Sequence, residues 1–209
     1  MKLYYGRLSG HSHRARLFLA LLGIDYEPVE VDLAAGAHKI PEFLRLNRFA
    51  EVPVLDDDGV IIPDVHAILV YLAKKSGSAD WLPEDPRTAA KVQRWPSVAA
   101  GKVAYGPSAA RLVTVFGYKL DAEAAIERSH ELLKVLDAQL GEVTWIAGTA
   151  KPSIADLALH SYDDRAPEGN IDLTSYANVR AWLRRVEALH GFLPFQKTPA
   201  GLEDLTARQ

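Results

Sequence analysis

The sequence predicts two domains in tandem: a small mixed α/β domain over residues 1–76 and an all-helical domain over residues 86–209, joined by a linker over residues 77–85. Three observations predict this. The first 75 residues alternate short apolar runs with helical periodicity in the order β-α-β-α-β-β-α. The stretch KSGSADWLPED, Lys75 to Asp85, is rich in small, polar and turn-forming residues. No strand pattern follows it, and the periodicity from Pro86 onward is helical.

Each element has its own signal. Lys2 to Tyr5 predicts a strand. Ser12 to Leu22 predicts a helix, with Ser12 placed to cap it, Ala15, Leu17, Phe18, Leu21 and Leu22 on its apolar face, and Gly23 closing it. Tyr26 to Asp32 alternates with Val29 and Val31 on one side, the pattern of a second strand. Pro41 to Leu46 predicts a short helix stopped at Asn47. Val52 to Asp56 and Val60 to Ile62 are apolar runs joined by Asp57-Asp58-Gly59, an antiparallel hairpin signal. Asp64 then opens a helix through Ala67, Ile68, Tyr71 and Leu72. Four further helices are predicted at Arg87 to Phe116, Asp121 to Leu140, Ser153 to Asp164 and Asn178 to His190, the first kinked at Pro96.

Composition narrows the function. With 209 residues and 48% apolar composition the chain can bury a proper core. Lys+Arg 24 against Asp+Glu 27 gives a net charge of -3 without a basic run, which argues against a nucleic-acid partner. The opening MKLYYG carries no apolar leader and no run reaches membrane-spanning length, so a cytoplasmic protein without a membrane partner is expected. There is no cysteine, which removes disulfides, thiolate metal sites and a cysteine nucleophile. Sulfur chemistry here requires a sulfur that arrives on a ligand.

The stretch Ser9-Gly10-His11-Ser12-His13 sits at the amino end of the first predicted helix, where free N–H groups and the helix dipole favour negative charge. A hydroxyl there can donate a hydrogen bond to a thiolate and lower its pKa. Three rival readings exist. A metal site at His11-x-His13 lacks a third ligand, so no metal is expected. A Ser-His hydrolase lacks the GxSxG elbow. The plainest reading makes Ser12 the helix cap and puts His13 on the solvent face, which leaves Ser9 without a structural duty.

Three motifs together resemble the cytosolic glutathione transferases, and in particular serine-type bacterial members with a thioredoxin-like first domain. Ser9-Gly10-His11-Ser12-His13-Arg14 matches the family's Ser-x-x-x-x-Arg, whose first serine bonds the glutathione sulfur. The resemblance therefore implies Ser9 as the catalytic residue, with His11 beside it at the glutathione site. The stretch Asn47 to Leu55, NRFAEVPVL, is similar to N-P-x-G-Q-V-P-V-L. That match implies a cis Val52-Pro53 bond, with the backbone of Val52 pairing with the cysteinyl part of glutathione, and it puts Glu51 where the family has Gln. Asp64-Val65-His66-Ala67-Ile68 resembles E/D-S-x-A-I, which implies Asp64 as partner of the γ-glutamyl ammonium. Val65 stands where the family's serine and the helix amino end bind the α-carboxylate, so the loss of its hydroxyl implies weakened glutathione binding. His38 and Lys39 precede Pro41-Glu42-Phe43-Leu44 as the basic residues of plant-like members do, and that resemblance implies that they reach the glycine carboxylate. Ser153-Ile154-Ala155-Asp156 resembles the family's capping box and is structural.

By that resemblance the chain uses glutathione as co-substrate for detoxification chemistry on an electrophilic, largely apolar substrate, as a homodimer. Tyr105 and Arg111 on the long helix are candidates for the second-substrate pocket, expected between that helix and the loop after the first strand. Tyr5 is a second candidate partner for the thiolate. Peroxidase, disulfide-reductase or isomerase work would use the same thiolate. A non-catalytic ligand-binding or interaction protein is the reading from another class, favoured by Val65 and Glu51.

Overall fold

The computed structural model describes residues 1–202. The last seven residues of the predicted helical domain, 203–209, lie outside the described residues. The chain divides into two compact units, Met1–Leu82 with Leu189–Gln196, and Pro83–Ala188 with the residues from Lys197 onward.

The first unit holds β1 (Lys2–Tyr5), α1 (Gly10–Leu21), β2 (Glu27–Glu30), a 3-10 turn (Ala37–Lys39), α2 (Pro41–Leu44), β3 (Val54–Asp57), β4 (Val60–Pro63) and α3 (Val65–Lys75). The four strands form one sheet in the order β2-β1-β3-β4, with β1 parallel to β2 and antiparallel to β3. This is the mixed sheet of a thioredoxin-like domain. Strand alternation sorts the core onto two faces. Leu3 pairs with Leu55, and both are fully buried. Their neighbours Tyr4 and Val54 face the other way, into a cluster with Val31 and Phe43. Helices α1 and α3 pack on each other, and Leu17 and Phe18 of the one and Ile68, Leu69 and Leu72 of the other are fully buried.

β2 is shorter than Tyr26 to Asp32 because its partner ends it. β1 offers four residues, and the register runs from Lys2 opposite Glu27 to Tyr5 opposite Glu30. The hairpin closes on Asp58 and Gly59 alone, since Asp57 already pairs with Val60. Both turn residues have positive φ, 53° and 92°, the condition of a type I′ turn that Asp-Gly meets at little cost.

The second unit holds α4 (Pro86–Val98), a π-helical segment (Ala99–Ser108), α5 (Ala109–Phe116), α6 (Ala122–Glu142), α7 (Ile154–Asp164), a 3-10 turn (Ala166–Gly169) and α8 (Ala177–Glu187). Its core is formed by Val92, Trp95, Leu133, Leu136, Ile154, Leu157, Val179 and Trp182. The expected kink at Pro96 is displaced. Helix continues through Pro96, and the break falls at Gly106, with φ -109° and ψ -105°. Pro107 disfavours the helical region for the residue before it, and glycine accepts the alternative. The described residues hold no helix long and apolar enough to cross a membrane.

Candidate functional site

The loop between β1 and α1 is fixed by two serines in exchanged roles. The structure makes Ser9, not Ser12, the N-cap of α1, with its Oγ accepting from the Ser12 N–H at 3.2 Å. Ser12 is fully buried and its Oγ accepts from the Gly6 N–H at 3.0 Å. The Ser9 N–H closes the turn on the Gly6 carbonyl at 3.1 Å. Ser9 therefore has a structural duty after all. The duty uses an oxygen lone pair and leaves the hydroxyl proton for a ligand, since among the described residues Ser9 Oγ donates to no partner.

His13 is not on the solvent face. It is 3% exposed, with its Nε2 2.8 Å from the Leu193 carbonyl and its ring stacked on Phe195 at 4.6 Å. His11 turns elsewhere: its Nδ1 accepts from Arg14 Nη1 at 3.1 Å. The two rings thus bond to different partners, His13 to Leu193 and His11 to Arg14. Among the described residues one group brings metal-capable atoms together, His160, Asp164 and Glu187, within 4.8 Å of one another. Arg165 Nη1 sits 2.5 Å from Asp164 Oδ2, so the protein supplies a counter-charge to that group itself.

Arg14 is fully buried and adds its charge to the effect of burial on both neighbouring imidazoles. Burial first, then the Arg14 charge and His66, push His11 down to about 3. Burial and the same guanidinium push His66 down to about 4, against a smaller upward pull from Asp64. Both rings are neutral at pH 7. On acidification the unfolded chain protonates them near 6.5 while the folded chain does not, so stability is present above 6.5 and is lost as pH falls from there toward 4. Urea unfolding at pH 7 and pH 5 should show a loss of about 2 kcal/mol for each histidine. Most of that loss should vanish in a His11→Gln/His66→Gln variant.

At the amino end of α3, Asp64 is the N-cap, with φ 77° and ψ 129°. Positive φ at a residue other than glycine is strained, on the order of 1–3 kcal/mol, and is retained where its surroundings demand it. One carboxylate oxygen, Oδ1, accepts from the N–H of His66 at 2.8 Å and of Ala67 at 3.0 Å. The helix end expected to bind a ligand carboxylate is thus capped by its own side chain. The Asp64 carboxylate itself is exposed. Val65 is buried in the core.

Asp64 lines a depression of about 360 Å³ with Asn47, Phe49, Glu51 and Pro63. Two carboxylates, Glu51 and Asp64, give it a cation-attracting wall. Asn47 shapes the loop, donating from its amide to the Glu51 carbonyl and accepting the Phe49 N–H. Phe49, which the motif comparison passed over, is 84% exposed at the rim. The Val52-Pro53 bond is cis. Among the described residues neither the N–H nor the C=O of Val52 bonds to another backbone group, and β3 begins two residues later. His38 is half-buried and Lys39 exposed, in the 3-10 turn before α2.

Two expected residues are occupied elsewhere. The Tyr5 phenol points to Glu30 Oε2 at 3.4 Å and its ring lies under the Arg16 guanidinium at 4.7 Å, so it is turned toward the edge strand β2. Arg111 is 2% exposed, its Nε 2.6 Å from Glu168 Oε2, and its charge is balanced inside the helical unit. Tyr105 is 67% exposed.

The family model described as "Glutathione S-transferase, N-terminal domain" matches residues 1–74, and "Glutathione S-transferase, C-terminal domain" matches residues 95–190. The chain is 33% identical to "Glutathione S-transferase 3" of Zea mays, over 97% of this chain and 94% of the relative. Among solved structures, a glutathione S-transferase from Pseudomonas fluorescens superposes with a TM-score of 0.88 at 29% identity, covering 94% of this chain and 98% of the other. A glutathione transferase homologue from Drosophila mojavensis, solved with bound glutathione, gives a TM-score of 0.81 at 28% identity, over 90% and 87% of the two chains.

Proposed function

The chain belongs to the glutathione S-transferase family, and from that premise we propose a serine-type glutathione transferase in which Ser9 holds the sulfur of glutathione as a thiolate for attack on an electrophilic, largely apolar substrate. One observation carries the reading: Ser9 Oγ is fixed by accepting the Ser12 N–H at the positive end of α1, while its own proton is uncommitted. A thiolate arriving there gains a charge-assisted hydrogen bond and the favourable end of a helix dipole, and both lower the thiol pKa.

The rest of the ligand follows from the same unit. Asp64 Oδ2, left over from capping, and Glu51 suit the γ-glutamyl ammonium. The uncommitted N–H and C=O of Val52 suit the cysteinyl backbone, with Pro53 holding the turn. Lys39 and His38 suit the glycine carboxylate. Conjugation then needs no base beyond the thiolate itself: the sulfur bonds the electrophilic carbon and the leaving group departs with its electron pair. Exposed Tyr105 is the remaining candidate contact for the second substrate. The setting is cytoplasmic detoxification chemistry. Incubation with glutathione and a generic aromatic halide tests the reading: a saturable thioether product supports it, and no product above the uncatalysed rate overturns it.

Val65 predicts an asymmetric defect. With no hydroxyl at this position and the His66 and Ala67 N–H groups already capped, the α-carboxylate keeps the Val65 N–H and is short of one further donor, worth about 1 kcal/mol. Val65→Ser should lower the KM for glutathione about fivefold with kcat nearly unchanged. An unchanged KM would mean that the carboxylate is held elsewhere. We also assign a two-fold homodimer, consistent with exposed Phe49 on a loop tied by the Asn47 side chain. Sedimentation at twice the 23.0 kDa chain mass supports it and a monomer overturns it.

A further inference from the structure

The segment Leu189–Gln196 belongs to the first unit although it follows the last helix, and it runs along α1. Toward the carboxyl end of α1 it passes at Gly191, with φ 83°, where an added Cβ would lie 2.8 Å from the Ala20 carbonyl oxygen. Toward the amino end it meets His13 twice, through the Leu193 carbonyl at 2.8 Å and through Phe195, whose ring stacks on the imidazole with an interplanar angle of 11°. A carbonyl only accepts, so His13 Nε2 carries the proton and donates it. The His13 N–H in turn donates to the Ser9 carbonyl at 2.9 Å, in the first turn of the helix that Ser9 caps.

We propose that His13 is a positioning residue for the thiolate site, and that Leu189–Gln196 is a strap which holds the first turn of α1, and with it the Ser9 hydroxyl, in register with the bound sulfur. The inference rests on the assignment of Ser9 as thiolate partner. Its physical basis is the tolerance of a charge-assisted hydrogen bond, which weakens steeply as donor and acceptor leave the ideal distance and angle. Ser9 is held by the Gly6 turn on one side and by the first turn of α1 on the other. The ring of His13 is a side chain through which a segment 180 residues away restrains that turn. The strap touches no reacting atom, so its effect is on geometry and on the pKa that geometry sets.

The test is the pKa of the bound glutathione thiol, followed by thiolate absorbance against pH in the full-length protein. Four proteins are compared: wild type, His13→Leu, His13→Gln and Ser9→Ala. His13→Leu should raise that pKa enough to cut the thiolate fraction near pH 6.5 about fivefold, lowering kcat with little change in KM for glutathione. His13→Gln, which keeps an N–H donor on a side chain of similar reach, should recover much of the loss. Should His13→Leu fail to fold, Phe195→Leu removes the stacking on His13 from the strap side, and Gly191→Ala pushes the strap off α1 at Ala20. A His13→Leu or Phe195→Leu protein of lower melting temperature, but with wild-type thiol pKa and kcat, would overturn the inference and leave the strap as a stability element. Thiolate lost in Ser9→Ala but unmoved in the His13 and strap variants overturns this inference alone. No thiolate in the wild type overturns the Ser9 assignment as well.

Discussion

Ser9→Ala should lower the conjugation rate about a hundredfold, the usual effect of deleting one preorganised donor to a developing or resident anion. The loss should appear in kcat, with KM for glutathione nearly unchanged, because the γ-glutamyl, cysteinyl and glycine parts are held by other groups. A second effect accompanies it. Ser9 is the N-cap of α1, and its replacement by alanine leaves the Ser12 N–H without its side-chain acceptor, a cost of about 1 kcal/mol in stability. Ser9→Gly separates the two, since glycine is tolerated at an N-cap position to within a few tenths of a kcal/mol. The rate should fall as far in Ser9→Gly while urea unfolding stays near wild type. A glycine variant that retained activity would show that the hydroxyl does not contact the sulfur.

The largest stability effect should come from Asp156, far along the chain from any ligand contact. Its carboxylate is wholly buried and joins three elements. Oδ1 accepts from the Ile146 N–H at 3.0 Å and from Trp182 Nε1 at 2.9 Å, and Oδ2 accepts from the Ser153 N–H at 3.0 Å in a reciprocal capping box. Burial pushes the carboxyl pKa up, and the donors on Ile146, Ser153 and Trp182 oppose it. Asp156→Ala leaves three buried donors without acceptors, which should cost about 4 kcal/mol. Urea unfolding should show that drop, with activity per folded molecule unchanged. A loss below about 1 kcal/mol would mean that water replaces the carboxylate, and the box would then be dispensable.

What the sequence revealed and what it hid divide along the range of the interactions. β1, the Asp-Gly hairpin signal, the Asp64 cap and the Ser153/Asp156 box were legible because each is decided within a few residues, although the turn proved one residue shorter than Asp57-Asp58-Gly59. The choice between Ser9 and Ser12 as cap was not. Both are good caps by type, and the decision is made by the Gly6 N–H, which takes the Ser12 hydroxyl and leaves Ser9 for the helix. His13 was misplaced because the residues that bury it, Leu193 and Phe195, arrive from the other end of the chain. Arg111 looked available for the same reason, its partner Glu168 being 57 residues away. The helix breaks at Gly106 and not at Pro96 because Gly106-Pro107 is a stronger punctuation than Pro96 alone.

The site shows the same division. Motif spacing placed Ser9, Val52 and Asp64 in one unit, and the exposed Asp64 carboxylate and uncommitted Val52 backbone suit the roles proposed for them. It did not show that one oxygen of Asp64 takes both the His66 and Ala67 N–H groups, nor that burial, reinforced by the Arg14 charge, keeps His11 and His66 neutral, because both depend on side-chain orientation in the folded state.

The central claim is that Ser9 holds the sulfur of glutathione as a thiolate, and a titration of the purified protein with glutathione at neutral pH tests it most directly. Thiolate absorbance should rise saturably in the wild type and be lost in Ser9→Gly, a variant that keeps the fold. A wild type that binds glutathione without a thiolate signal, or a glycine variant that keeps the signal, would contradict the claim.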